Sequence, residues 1–600
     1  MDKNSITAVV LISLVLIGYT IVQAKFFPPP QQQQIEQTEV EEKSAEENSA
    51  QNSQVSEEIN SIVYANSSED SASANENLVE KKYTITTDKI KVVFTNRGGD
   101  IVSYELLDHK DTKTGLGVEM ADNVSTNNRA FSLAFGGAEN SIVNDLFEAK
   151  EFPEADDGEK KIAFAKRFSD FTLVKQYTFK DGEYMFRMNV VIDGGENFSA
   201  LNFPAANGMN ASYTLRTSPQ VGPAFDPKID RYENRSFIAL NEGKSKRIRL
   251  GTGQFKDYNK EFEIAGIGGK YFCELVIPLK NSILENAYYS TEIELGDSSN
   301  AQARLVRKPI TEKQTNDIYY VYVGPRAEKD LRVYSNAENN AWNLSGYRLT
   351  DAMDSGGFLG WLETILKWVL ELVYKMVPNW GVSIIILTLI LRLALFPLSI
   401  KASVGTTKMQ ELQPKMQAIQ AKYKDNPQKM QAETAKLYQE AGYNPMSGCL
   451  PMVLQMMCLF AMYNLFNNYF EFRGASFIKG WIDDLSAGDS IYMLNFNLPL
   501  LRSNHIRILP VIYLVSQLLY GKVTQVGGTA TAAQNSTQMK FMTYGLPILF
   551  FFILYNTPSG LILFWTMSNI LQMMQQVFIN KSKAKEKTAA ANKNVVKMKK

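Results

Sequence analysis

Cysteine and histidine are almost absent: three cysteines (Cys273, Cys449, Cys458) and two histidines (His109, His505) in 600 residues. That excludes a disulfide framework and a zinc site of the usual kind. Cys449 and Cys458 lie in or beside an apolar segment and read as small apolar residues. Acids are missing from the apolar segments after about residue 356. Cation and proton relays through a membrane usually need buried carboxylates, so a transporter or channel is disfavoured, and no inverted repeat is evident. An intramembrane hydrolase would need a His-Glu-x-x-His motif, paired membrane aspartates or a Ser–His dyad, and His505 alone lies at a segment edge. Gly266-Ile-Gly-Gly-Lys270 lacks the spacing and the following Ser/Thr of a phosphate loop and reads as a turn between strands. The expectation is therefore a protein that is not an enzyme, with no metal, no cofactor and no DNA partner.

What is present is unevenly distributed. The averages (45% hydrophobic, 21% charged) are those of a soluble protein, but long apolar runs occupy only the extreme N-terminus and the last two-fifths. Ser5–Ala24 is uncharged over 20 residues, long enough to cross a bilayer core of roughly 30 Å. It reads as a retained anchor (1–25), with a cleaved signal peptide as the alternative, since Val22-Gln23-Ala24 suits cleavage. Residues 26–80 begin with Pro28-Pro29-Pro30 and continue as a Gln-, Glu-, Ser- and Asn-rich tract, the composition of a disordered linker. From Lys81 the pattern has period two: Ile90, Val92 and Phe94 alternate with polar neighbours, and Asn96-Arg97-Gly98-Gly99 offers a turn. Phe171–Phe179 and Tyr184–Ile192 flank Asp181-Gly182, a hairpin signal. Such runs recur to Ile318–Val323, so 81–345 is expected to be a large β-sandwich.

Residues 357–377 predict an amphipathic helix with Phe358, Leu362, Ile365, Val369, Leu372 and Met376 on one face. Glu363, Lys367, Glu371 and Lys375 form a ladder of alternating sign on another. With Trp361 and Trp368 it suits the membrane interface; a cap on the β-domain is the alternative. Five further spans are expected at about Gly381–Ile400, Met446–Phe466, Ile506–Lys522, Phe541–Tyr555 and Gly560–Phe578, the last pair joined by Asn556-Thr-Pro-Ser559. The fourth and fifth spans are near the roughly 17-residue minimum, so they would thin the bilayer around them. Residues 401–444 carry seven lysines against four acids, and the tail 581–600 eight lysines against Glu586 alone. The positive-inside rule then puts both segments in the cytoplasm and the β-domain outside. The fold class is thus a polytopic α-helical membrane protein of six spans, both termini cytoplasmic, with an external β-sandwich and a cytoplasmic helical hairpin at 404–443.

Arg392 is the sharpest single residue. An arginine inside an apolar helix costs on the order of 2.5–3.5 kcal/mol on insertion scales, so it should face a wet cavity or a partner; snorkelling to the cytoplasmic surface is the alternative. Thr388 sits one turn earlier. Gln455, Ser516, Gln517, Thr566, Ser568, Asn569 and Gln572 put hydroxyls and amides in the other spans, where bonding between helices is the plain reading for each. Together they make a positive, acid-free cavity suited to polar or acidic flanks of a passing chain. In the hairpin, Met409, Leu412, Met416, Ile419 and Tyr423 are spaced 3-4-3-4, Asp425-Asn-Pro427 breaks the chain, and Met430, Thr434, Leu437 and Ala441 continue the seam. Pro414 should kink the first arm, and Lys408, Lys415 and Lys422 make the arm basic. Methionines around the third and sixth spans suit a surface that accepts many apolar partners, or plain packing.

These residues fall into longer motifs. Arg392 in Leu-Arg-Leu-Ala-Leu-Phe-Pro-Leu, Leu412-Gln-Pro-Lys415, Asn444-Pro-Met-Ser-Gly-Cys-Leu-Pro451 with Gln455-Met456, Trp481-Ile-Asp-Asp-Leu-Ser486, and Pro558-Ser-Gly-Leu-Ile-Leu563 through Ser568-Asn569 resemble the YidC family of membrane protein insertases. The likeness covers about 357 to 580, and Phe94–Asp100 resembles the start of that family's large periplasmic domain in Gram-negative bacteria. It implies a bacterial inner-membrane protein with a five-helix insertase core (346–580). It also implies a hydrophilic groove open to cytoplasm and lipid, with the groove arginine at Arg392. The partners implied are nascent membrane proteins, membrane lipids, the Sec translocon and ribosomes; with the basic hairpin, the lysine tail 581–600 is expected to meet the ribosome by binding its RNA electrostatically, an anchor to anionic lipid being the equal alternative for the tail. Phe564-Trp565 depart from the two tyrosines that line the substrate path in many members. A Sec-associated chaperone or scaffold without independent insertion is the competing function.

Overall fold

The computed structural model describes residues 78–600 apart from 113, 156–157, 206–209, 226–232, 242, 250–254, 259, 261, 280–283, 291–301, 354–356, 443–444, 502, 527–540 and 599–600. The anchor expected at 1–25, and the linker expected at 26–80 up to residue 77, lie outside the described residues.

Alternating sequence produces alternating burial. In strand Ile90–Thr95, Ile90, Val92 and Phe94 are buried and Lys91 is exposed. The turn that follows uses Gly98 and Gly99 at φ +69° and +62°, a region closed to most side chains. Asp181-Gly182 reverses the chain as the sequence predicts: Phe171–Phe179 pairs antiparallel with Met185–Gly194, and Gly182 has φ +80°. Gly266 and Gly268 do not form the expected turn. They belong to strand Ile264–Gly268, and the reversal into Phe272–Pro278 occurs at Lys270–Tyr271. The backbones approach too closely for a side chain at Gly266, where a Cβ would lie 2.0 Å from the Glu274 carbonyl oxygen.

These strands build a nine-stranded antiparallel sheet in the order Lys244–Ile248, Ser236–Asn241, Ile264–Gly268, Phe272–Pro278, Gln314–Pro325, Met185–Gly194, Phe171–Phe179, Lys160–Arg167, Glu148–Glu151. A five-stranded sheet (Phe255–Tyr258, Leu284–Ser290, Gln302–Arg307, Tyr213–Arg216, Leu133–Phe135) and a four-stranded one from Lys82–Thr86 to Gly117–Glu119 are the other large sheets of the β-region. One apolar core joins all three, with Phe94, Phe164, Tyr177, Tyr213, Leu305 and Tyr319 among its members. Two ionic clusters are sealed within it. Asp100 accepts from Arg129 Nε at 2.9 Å and pairs with Lys175, whose ammonium also donates to the Gly98 and Phe131 carbonyls. Arg307 grips Asp317 with two guanidinium nitrogens at 2.9 and 3.1 Å, and the Tyr213 hydroxyl donates to the same carboxylate, tying the five-stranded sheet to the nine-stranded one. Burial of a charge is tolerated only with such pairing.

The helical region follows as α1 (Gly360–Met376), α2 (Trp380–Ala394), α3 (Phe396–Lys422), α4 (Pro427–Glu440), α5 (Pro445–Asn468), α6 (Leu509–Val526), α7 (Leu546–Leu554) and α8 (Ser559–Met598). Helix α1 is apolar on two faces. Leu366, Leu370 and Val373 pack into the bundle, while Phe358, Trp361, Ile365, Trp368, Leu372 and Met376 stay exposed. Its charged ladder is engaged: Lys367 pairs with Glu328 beyond the last β-strand of the β-region, while Glu371 accepts from Tyr469 at 3.1 Å and Glu363 from Asn464 at 3.0 Å within the helical region.

Among the described residues no helix is long and apolar enough to cross a membrane. Two of the expected spans fall on short helices. Helix α2 is 15 residues, about 22 Å at 1.5 Å per residue, and α7 is 9. Two boundaries also move. The second span, expected to end at Ile400, breaks at Leu395, because Pro397 lacks an N–H and opens a new helix. The fourth, expected from Ile506, starts at Leu509, with Ser503–Ile506 paired as a strand. The first arm of the hairpin therefore runs from Phe396 rather than 404, and the helix continues past Pro414, which lacks the N–H for one helical bond.

Candidate functional site

Helix α8 packs against both α2 and α6, and its polar residues fall on the sides that meet them. Arg392 Nη2 donates to Gln572 Oε1 at 3.1 Å, and Gln572 Nε2 donates to the Tyr520 hydroxyl at 2.8 Å. This chain of amide, phenol and guanidinium links three helices. Arg392 is half-buried, and among the described residues no carboxylate pairs with it. Nearly one turn earlier on α8, Asn569 Nδ2 donates to Ser516 Oγ at 3.2 Å, and Ser516 donates in turn to the Tyr513 carbonyl at 2.7 Å. Gln517 donates to the Tyr513 hydroxyl at 3.0 Å. The Tyr513 ring lies 6.1 Å from that of Trp565. On the same helix, Trp565 Nε1 and Thr566 Oγ1 before Asn569, and Gln575 Nε2 beyond Gln572, are buried without a hydrogen-bond partner among the described residues. Unmatched donors in an apolar bundle cost on the order of 1–3 kcal/mol each. They are groups that an incoming polar chain could satisfy.

The sequence-selected residues do not all converge. Thr388 is 1% exposed and its hydroxyl donates to the Ile384 carbonyl at 2.6 Å, so it is turned into its own helix. Gln455 lies on α5 and its side chain is outside the described residues. Ser568 is buried. Gln572 and Asn569 both make the interhelical bonds that the plain reading gave them. Phe564 is in the bundle core, edge-on to Phe466 at 5.7 Å. Sequence reading missed Tyr513 and Tyr520. Their spacing of seven, bracketing Ser516 and Gln517, marks one polar face of α6 and is a usable signal.

The hairpin of α3 and α4 is closed by Tyr438, whose hydroxyl donates to Met416 Sδ at 3.0 Å. Met416, Ile419, Tyr423, Met430, Thr434 and Leu437 are half-buried along the seam. Leu412 is buried, Pro414, Lys415 and Lys422 are exposed, and the Lys408 side chain is outside the described residues.

The end of the bundle nearest the β-region is capped by the loop after α5. Phe470 sits edge-on to His109 and Phe272 at 5.4 and 5.7 Å, and Lys329 pairs with Glu471 at 3.3 Å. Burial, reinforced by the nearby Arg473 and Lys329, pushes the His109 imidazole below its usual value despite the opposing pull of Asp108. Farther along, Asp489 accepts from the Trp481 indole and from the Ile508 and Leu509 amides, fixing the start of α6. Ser559 N and Gly560 N donate to the Ala487 and Leu485 carbonyls, fixing the start of α8.

Comparison with known proteins bears on both regions. The family described as 60Kd inner membrane protein matches residues 372–587, and the family described as YidC periplasmic domain matches 82–369. The membrane protein insertase YidC of Treponema denticola is 44% identical over 601 residues, covering 98% of this chain and 100% of that protein. The protein of the same name from Treponema pallidum is 39% identical, covering 86% and 87%. A solved structure described as an active YidC insertase with its first transmembrane domain resolved is 18% identical with a TM-score of 0.35, covering 83% of this chain and 92% of that one.

Proposed function

The chain belongs to the YidC family of membrane protein insertases, and from that premise we propose how its residues carry insertion out. It is an inner-membrane insertase with a periplasmic β-domain, and its clients are nascent membrane proteins. In our reading six spans place both termini and the α3–α4 hairpin in the cytoplasm. A client meets the basic hairpin first, and its polar flank then occupies the groove between α2, α6 and α8. There Arg392 offers a cation with no competing acid, and Tyr520, Gln572 and the unmatched donors of α8 offer hydrogen bonds. The observation that supports this most is the Arg392–Gln572–Tyr520 chain, a preformed polar path inside an apolar bundle. Short α2 and α7 reduce the bilayer thickness the client must cross. The driving force is the client's own burial, roughly 0.8 kcal/mol per CH₂, so no catalytic centre and no nucleotide are required. Lys408, Lys415, Lys422 and the lysine tail supply charge for the ribosome, and the groove supplies a surface for exchange with the Sec translocon.

The test is reconstitution in liposomes with a small two-span client, comparing wild type with Arg392→Ala. Insertion should require the protein and slow on the order of tenfold in the variant, the equivalent of ~1.4 kcal/mol. Insertion indifferent to the substitution would make Arg392 a snorkelling residue. Absence of protein-dependent insertion would favour a Sec-associated chaperone.

A further inference from the structure

Between the cap loop and α6 the chain makes a two-stranded ribbon, Tyr492–Leu498 paired with Ser503–Ile506. It packs on no sheet, and such a ribbon is marginal in water by itself. Its longer strand alternates. Tyr492, Leu494, Phe496 and Leu498 alternate with Met493, Asn495 and Asn497 along it, the pairing register shifts between Met493 and Leu498, and Met493 is exposed as well. Tyr492 and Phe496 are 62% and 61% exposed, and Leu500 at the tip is 79% exposed. From Ser490 to Leu501 the sequence has no charged residue. An apolar face of this kind on a monomer marks an interaction site.

The base of the ribbon is held firmly, so its direction is set by the bundle. At the base the Arg507 amide donates to the Tyr555 hydroxyl at 3.0 Å and that hydroxyl donates to the His505 carbonyl at 3.0 Å, while at the tip Asn556 Nδ2 donates to the Leu501 carbonyl at 2.9 Å. Tyr492 pairs with Ile506, itself exposed, and the chain then enters α6. There Val511, Val515 and Leu519, spaced four apart and all exposed, run down one helix face. The apolar surface of the ribbon is thus continuous in the chain with the outward face of a bundle helix.

We propose that this ribbon is a lipid-docking element: its Tyr492–Leu498 face lies in the interfacial layer of the outer leaflet, beside the mouth of the bundle. The proposal rests on the span reading above. Continuity with the outward face of α6 and the lack of charge select lipid as the occupant. The open edges of two strands forbid the hydrocarbon centre, where unpaired backbone groups have no partner. A tyrosine beside aliphatic residues suits the boundary layer.

The test uses the full chain in proteoliposomes, with an environment-sensitive fluorophore on Phe496→Cys, Tyr492→Cys, Asn495→Cys or Val515→Cys. Cys449 and Cys458 are replaced by alanine; Cys273 stays, since burial pushes its thiol up to about 12 and shields it from the label. Nitroxide lipids should quench the label at 496 and 492 about threefold more than at 495, because neighbours on a strand face opposite ways. Equal quenching at 495 and 496, with both open to aqueous iodide, would overturn the proposal. So would a label at 496 shielded from both quenchers, which would mean a protein covers the face. Val515 separates the two readings: its label should be quenched by deep nitroxides, and failure there would remove the span assignment itself. Retained insertion activity in the labelled variants guards against misfolding.

Discussion

At the scale of single residues, the two regions treat buried polarity in opposite ways. The β-domain pairs its buried charges: Asp100 is shared by Arg129 and Lys175, and Asp317 by Arg307 and Tyr213. Glu274 is treated differently. It is fully buried, and its carboxylate accepts only from the Ser218 amide at 3.0 and 3.3 Å among the described hydrogen bonds. Burial raises its pKa to about 7 against that partial compensation. An acid whose folded value is raised contributes stability that is fully present below its ordinary value of 4.5 and is lost as pH rises through about 7. The β-domain should therefore lose about 3 kcal/mol between pH 4.5 and 8 from this group, taking 1.36 kcal/mol per unit. Glu274→Gln keeps the Ser218 contact and should flatten that slope in urea titrations at successive pH values; an unchanged slope would show that Glu274 titrates normally. Arg392, by contrast, has an amide and no carboxylate beside it among the described residues, and a permanent acid there would neutralise the groove. The pairing of Arg392 with Gln572 spans 180 positions in the chain. Sequence pattern identifies each as an expensive polar residue in an apolar helix, but which helices touch is decided by tertiary packing.

At the scale of elements, local chemistry was readable wherever it was strong. Asp181-Gly182 set a hairpin, the alternation of Ile90, Val92 and Phe94 set a strand, and the 3-4-3-4 seam set the α3–α4 pair. Boundaries within apolar stretches were less legible, since hydropathy does not distinguish a strand such as Ser503–Ile506 from a helix start. The short loop between α1 and α2, by contrast, is dictated by close packing that only the structure reveals. Tyr374 stacks on Trp380 at 3.8 Å, the Asn379 side chain caps α2 by accepting from the Val382 amide, and Gly381 opens the first turn. A Cβ at Gly381 would lie 2.2 Å from the Phe477 ring. Phe477 is held by backbone bonds to Ile482, so it cannot yield cheaply. Gly381→Ala should destabilise the bundle by about 1–3 kcal/mol, the usual cost of overpacking. The loss should read as a lower melting temperature in detergent and faster proteolysis of the 470–490 loop, whereas an unchanged melting temperature would mean that this loop lifts away freely.

At the scale of the whole molecule, a net charge of zero conceals a separation on which the proposed orientation rests. Lysines collect in 401–444 and 581–600, at the far ends of α3 and α8 from the loop that joins bundle and β-domain. Helix α8 continues from the groove as far as Met598, so the same rigid element carries Asn569 and Gln572 at one end and the lysine-rich tail at the other. A ribosome and an anionic membrane both attract such a tail, and salt weakens both. The function proposed above assigns the tail to the ribosome. Deleting 581–600 should then weaken ribosome binding to proteoliposomes made only of zwitterionic lipid, where no anionic surface competes. Wild-type binding in that bilayer should fall steeply with salt. The log–log slope should be smaller by several units in the deletion, about 0.7–0.9 for each phosphate that the tail no longer neutralises. The insertion rate of a client added without ribosomes should be unchanged. If the deletion alters ribosome binding only when anionic lipid is present, the tail is a membrane anchor, and the hairpin alone must receive the nascent chain.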